Sequence, residues 1–138
     1  MKDPKRPFLV ATEKVQDDRG LVGILEDHSI PFKVRRTFWV TQVPDNTWRG
    51  GHAHKSSEQL LICTHGQIRA ELEDINGSCY KFDLTSETPA LYIPVNCWGR
   101  FLFTSEATAM CLASDHFDEK DYIRSYSDFE KLRYASNE

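Results

Sequence analysis

The chain has no run of about 18 apolar residues, so no membrane-spanning segment is expected. No apolar stretch follows the charged, proline-bearing opening MKDPKRPFLV, which argues against a secretory signal. Basic residues are too few for a nucleic-acid binder. Lys and Arg number 17 against 21 Asp and Glu, for a net charge of −4 and a pI near 5.7, whereas nucleic-acid-binding domains carry a basic surplus. A local basic site for a phosphorylated small molecule stays open. None of the four cysteines (Cys63, Cys79, Cys97 and Cys111) is spaced C-x-x-C, and all but Cys79 lie in apolar runs. Reduced, mostly packed thiols in a cytoplasmic protein are therefore expected, not a disulfide framework. Low-complexity linkers, internal repeats and composition breaks are missing too, which leaves one domain over residues 1–138. Hydrophobic residues make up 40% of it, enough for a core without staples.

What is present is a succession of short strand signals. Leu21 to Glu26 is one. Arg36 to Val43 is rich in β-branched and aromatic residues and stops at Pro44-Asp45-Asn46. Gln59 to Thr64 and Gln67 to Leu72 are predicted as two strands around Gly66. Asp74-Ile75-Asn76-Gly77 then turns a hairpin into Ser78 to Leu84. Ala90 to Pro94, Arg100 to Thr104 and Thr108 to Ser114 complete the set. The pattern predicts an all-β barrel or sandwich with a short C-terminal helical tail. That tail has an acidic opening at Asp118 to Asp121 and a capping box from Ser127 to Glu130. Tyr122 and Tyr126 are expected to pack the tail on the barrel, and the connection Asp115 to Ser127 to run over the surface.

The densest chemical signal is Arg49-Gly50-Gly51-His52-Ala53-His54-Lys55. Alternation along a strand puts His52 and His54 on one face and Ala53 on the other. Two imidazoles on one face suit a metal or proton transfer. The two glycines permit a turn or the close approach of a ligand. Arg49 and Lys55 add the fixed positive charge that a phosphate-bearing substrate requires. The alternative is a pair of surface histidines beside a turn.

Gly50 to His54, followed by Glu58, an apolar strand and Gly66, resembles the first cupin motif. The second cupin motif ends in a third histidine, where this chain has Gly99. A metal would be offered His52, His54 and Glu58 at most, so no metal is expected. The blocks RGGHAHK, EQLLICTHG, ALYIPVNCW and ASDHFDEKDYIRSYSDFEKL together resemble the sugar nucleotide 3,4-ketoisomerases, the WxcM-like or FdtA-type cupins. The resemblance spans about Asp17 to Leu132.

It implies a cupin, or jelly-roll, barrel that moves the keto group of dTDP-4-keto-6-deoxyglucose from C4 to C3, without metal or organic cofactor. It further implies a homodimer with an exchanged N-terminal strand, serving the synthesis of 3-amino-3,6-dideoxy sugars. The chemistry removes a proton from C3 and returns one to C4 through an enediol, a task for a base that titrates near neutrality. His52 and His54 are the expected proton-transfer pair, with Arg49 on the enediolate oxygen or a phosphate. By resemblance Arg19, in Asp17-Asp18-Arg19-Gly20, lies at the active site, and Trp98 and Arg100 line the pocket; Lys55 joins them as a substrate contact. Two departures stand out. Phe38-Trp39-Val40-Thr41 lacks the tyrosine the family carries before its histidines, and Gly99 replaces a histidine after Trp98. The competing readings are a non-catalytic sugar-nucleotide-binding cupin, a metal-dependent cupin and a 3,5-epimerase of the same substrates.

Overall fold

A computed structural model describes residues 5–136, and the side chains of residues 5–133. Residues 1–4 and 137–138 of the expected domain lie outside the described residues. Ten strands and one helix follow in order: β1 (Phe8–Val10), β2 (Glu13–Asp17), β3 (Gly20–Ile24), β4 (Arg36–Val40), β5 (Thr47–His54), β6 (Gln59–Glu73), β7 (Cys79–Leu84), β8 (Ala90–Ile93), β9 (Trp98–Ala113), β10 (Tyr122–Ile123) and α1 (Tyr126–Ser136). The all-β expectation with a helical tail holds. Among the described residues no helix is long and apolar enough to cross a membrane.

Two long antiparallel strands organise the barrel. β6 and β9 pair along their whole length, from Gln59 opposite Ala113 to Glu73 opposite Trp98, with irregularities around His65. At that corner both strands bend. Ser105 and Glu106 take positive φ angles of 58° and 57°. Gly66 has φ +72°, and a Cβ there would lie 2.6 Å from Ala107 Cα and from Ser105 O. Only glycine allows the two corners to nest so closely. On one side of the bend β6 pairs with β8, and β9 with β4; on the other, β6 pairs with β7, and β9 with β5. The sheet thereby curls over a core that includes Leu61, Ile68, Leu72, Leu91 and Phe103.

This geometry corrects the predicted pairs of short strands. Gln59 to Thr64 and Gln67 to Leu72 are one bent strand, and so are Arg100 to Thr104 and Thr108 to Ser114. A bulge changes the direction of a strand without ending its pairing. Among the described residues the hairpin β2–β3 pairs only with itself, and the predicted strand Leu21 to Glu26 accounts for β3 but not for β2.

The tail also differs from expectation. Asp118 accepts from Lys120 N to open a 3₁₀ turn over Glu119–Asp121, not an α-helix. Tyr122 and Ile123 then pair with His54 and Ala53 of β5. The helix starts at Tyr126, where Ser125 O accepts the first backbone bond, from Phe129 N at 3.1 Å, so Ser125 and not Ser127 is the cap position. Phe129 is fully buried against Ala53 and Ile123, a burial that contributes about 1.5–3 kcal/mol. The connection after Ser114 is thus clamped onto the strand that carries the histidines.

Candidate active site

Gly50 and Gly51 have φ angles of +90° and +77°, and the β5–β9 register shifts between Gly50 and His52. A Cβ on Gly50 would lie 2.9 Å from Gly99 O and 3.0 Å from the Phe101 ring. The glycine pair therefore makes a bulge, which turns the end of β5 and aims His52 into the barrel. His52 and His54 share a face as alternation predicted, with ring centroids 5.0 Å apart and the rings edge to face.

The two rings have different surroundings. His54 is 5% exposed. Its Nδ1 lies 2.8 Å from Asp121 Oδ2, and its Nε2 lies 3.2 Å from Gln59 Nε2. Asp121 is itself held by Ser56, whose backbone N–H and hydroxyl lie 2.7 and 3.0 Å from Oδ1. Burial works to raise the Asp121 carboxyl, but the Ser56 N–H and His54 outweigh it and hold the group below its usual 3.8. Burial depresses His54, against the opposing pull of Asp121. His52 is pushed down from 6.5 to about 4, first by burial and then by His54 and Arg124; one hydrogen bond, to the Gly50 backbone, works the other way. Its remaining ring nitrogen has no hydrogen-bond partner among the described residues. At neutral pH it is a free base.

His52 faces a cavity of about 270 Å³ inside the barrel. Its lining combines polar side chains, Arg49, Gln59, Tyr122 and Arg124, with apolar ones that include Phe38, Phe101 and Phe103. The Tyr122 ring sits 5.1 Å from His52 and 4.4 Å from His54, and the Arg124 guanidinium lies over it at 4.3 Å. Arg124 is steadied by Glu119 at 2.7 and 3.0 Å. Tyr122 thus lies beside the histidines, in addition to fastening the tail, and brings a phenol ring to a site whose strand segment Phe38-Trp39-Val40-Thr41 has none.

The chain does not bring every expected residue here. Arg49 and His52 line the cavity, with His54 directly behind. Lys55 points the other way, into an outer cleft with Arg35 and Phe117, because it follows the inward-facing His54. Gly99 is buried opposite His52, so its strand neighbours Trp98 and Arg100 face outward. Trp98 packs under α1 against Tyr126 and Phe129, at 5.4 and 5.9 Å. Arg100 covers the Trp48 ring at 4.2 Å and pairs with Glu71 at 2.6 Å. Arg19 is 86% exposed at the tip of the β2–β3 hairpin, bonded to Asp17 at 2.8 Å. Glu58 accepts a hydrogen bond from Tyr92 and does not reach the histidines. Among the described residues no three His, Cys, Asp or Glu are grouped to hold a metal ion.

Gln59, Asp121, Tyr122 and Arg124 were not singled out as site residues from sequence. The one available signal was the DYIR block in the tail, which a plain barrel has no need of.

A family model described as FdtA, WxcM-like, C-terminal, matches residues 6–134. The chain belongs to this family. A relative from Aneurinibacillus thermoaerophilus, named TDP-4-oxo-6-deoxy-alpha-D-glucose-3,4-oxoisomerase, is 40% identical over 121 residues, 86% of each chain. A mutant of the 3,4-ketoisomerase QdtA from Thermoanaerobacterium thermosaccharolyticum, solved in complex with TDP-4-keto-6-deoxyglucose, superposes with a TM-score of 0.85 at 28% identity over 94% of both chains. The TDP-quinovose 3,4-ketoisomerase WlaRB from Campylobacter jejuni superposes at 0.82 with 32% identity, over 92% of this chain and 98% of that one. The cupin-type barrel inferred from the sequence blocks is therefore the barrel of FdtA-type proteins.

Proposed function

We propose that this chain is a 3,4-ketoisomerase that moves the carbonyl of dTDP-4-keto-6-deoxyglucose from C4 to C3, with His52 as the proton-transferring base. The observation that carries this reading is the asymmetry of the pair. Both ring nitrogens of His54 are engaged by protein, whereas His52 lines the cavity and, among the described residues, keeps one ring nitrogen without a partner.

The free His52 nitrogen takes the proton from C3, whose acidity comes from the neighbouring C4 carbonyl. The electron pair moves onto O4 and an enediolate forms. Arg49 and Arg124, both lining the cavity, supply the positive charge that steadies this oxyanion. The new imidazolium on His52 gains from the same negative charge, so a base depressed in the resting site strengthens as the transition state develops. O4 is protonated, O3 gives up its proton, and His52 returns a proton to C4. C3 is oxidised and C4 reduced within one molecule, so no external oxidant or reductant takes part. The apolar lining of the cavity suits the C6 methyl of a deoxy sugar. The 3-keto product is the substrate type for a transaminase that installs a 3-amino group.

The reading extends to a cytoplasmic homodimer with an exchanged N-terminal strand. Its support is the β2–β3 hairpin, which among the described residues pairs with no other strand and leaves the cross-strand pair Val15 and Val22 each 57% exposed. A second copy would cover that apolar pair. Light scattering should give twice the chain mass, and Val15→Asp with Val22→Asp should lower it; a monomeric wild type removes this extension.

The deciding test is proton NMR in D2O with dTDP-4-keto-6-deoxyglucose and chelator-treated protein. Loss of the C3 proton signal together with a new 3-keto product supports the reading. Exchange at C5 instead indicates an epimerase, and tight binding without exchange indicates a binding cupin.

A further inference from the structure

Gln59 opens β6, pairs with Ile93 and Ala113 on its two sides, and is 9% exposed. Its amide crosses to β5 and meets His54 Nε2 at 3.2 Å, while it also lines the cavity that His52 faces. An amide nitrogen only donates, so the Nε2 facing it presents a lone pair. The Asp121 carboxylate, 2.8 Å from the other nitrogen, only accepts, so Nδ1 carries the proton. The opposite amide orientation would set an acceptor at each nitrogen and demand an imidazolium. That cation would be buried beside Arg36 and Arg124, both of which disfavour it. Among the charged groups that act on His54, Asp121 favours the cation and Arg36 and Arg124 oppose it; His52 on its own strand, Tyr122 from the tail and Gln59 from β6 are the other side chains that meet its ring.

We infer that Gln59 is a positioning residue, which holds His54 neutral with its proton on Nδ1 so that His52 alone becomes cationic during turnover. The inference rests on the reading of His52 as the base. A cation on His54, 5.0 Å from the His52 ring, would weaken that base by like-charge repulsion. Gln59 thus does for Nε2 what Asp121 does for Nδ1, and the opposite character of the two partners selects a single tautomer.

The test is long-range ¹⁵N–¹H NMR of the resting wild-type protein at neutral pH. His54 should show a protonated Nδ1 and an unprotonated, hydrogen-bonded Nε2. An Nε2–H tautomer or an imidazolium overturns the inference. Because this spectrum needs no substrate, it stands apart from any failure of the ketoisomerase reading. Gln59→Glu should convert His54 to an imidazolium at neutral pH and lower kcat roughly tenfold or more, with little change in KM or melting temperature. Wild-type protonation of His54 and a wild-type pH profile in this variant also overturn it. If Gln59→Glu does not fold, Gln59→Met takes its place: it should move the His54 Nε2 resonance and the pH profile, and an unmoved pair of readouts counts against the proposal.

Discussion

Asp121 Oδ2 lies 2.8 Å from His54 Nδ1, across 67 residues of chain. The contact joins the C-terminal tail to the strand that bears both histidines, and it accepts the only proton that a neutral His54 carries. Asp121→Asn preserves shape but can turn its amide N–H toward Nδ1, which drives the proton to Nε2 and into collision with the Gln59 donor. The expected result is a fall in kcat of about tenfold to a hundredfold, the usual scale for a group that orients a functional histidine. Steady-state kinetics alongside circular dichroism separates this from unfolding; unchanged kcat would remove Asp121 from the site.

The two histidines should fail differently. His52→Asn removes the base, with an expected loss of about 10²–10⁴ in kcat and a melting temperature near that of wild type. His54→Asn should also impair turnover, but it leaves the buried Asp121 carboxylate short of a partner, at a cost of about 1–3 kcal/mol. Thermal melts of the pair, read beside C3 exchange in D2O, test the assignment. A His52→Asn enzyme that still exchanges C3 at the wild-type rate contradicts it.

Stability should fall on mild acidification. His52 titrates at about 4 in the fold and at 6.5 as a free imidazole. Between those values the unfolded chain binds the proton and the folded chain does not, so the contribution of this group is complete above 6.5 and is lost as pH drops toward about 4. His54, also depressed, has the same sign. The Asp121 contribution is lost only at still lower pH, because its folded value lies below 3.8. Urea midpoints measured across this range should be level above 6.5 and decline below it, and kcat/KM should show no inflection at 6.5. His52→Asn should flatten the stability slope.

Gly50 and Gly51 share positive φ angles but differ in surroundings. Alanine at Gly51 meets nothing within 4 Å, whereas at Gly50 its Cβ strikes Gly99 O and the Phe101 ring. Gly51→Ala should cost about 1 kcal/mol of backbone strain, and Gly50→Ala the same strain plus a steric clash, for a total of about 2–3 kcal/mol. Chemical denaturation of both variants tests the order. Equal losses would show that the close approach of β5 to Gly99 does not govern the bulge.

Local pattern was enough to establish the strand-rich architecture, the Asp74 to Gly77 hairpin and the shared face of His52 and His54, because each depends on side-chain alternation or turn chemistry within a few residues. It was not enough to join Gln59–Glu73, or Trp98–Ala113, into single strands. A bulge residue reads locally as a terminator, and only the partner strand shows that pairing resumes beyond it. Alternation likewise states that Trp98 and Arg100 share a face, but not which face. Packing decided that: Trp98 lies under α1 against Tyr126 and Phe129, while Gly99 is buried opposite His52. Gln59 and Asp121 became functional candidates only when the start of β6 and the 3₁₀ turn before β10 met His54. Sequence thus determined the kind of chemistry, by placing two imidazoles one residue apart beside fixed positive charge. Tertiary structure decided their division of labour, because the tautomer and accessibility of an imidazole depend on the donors and acceptors that distant segments bring to its two nitrogens.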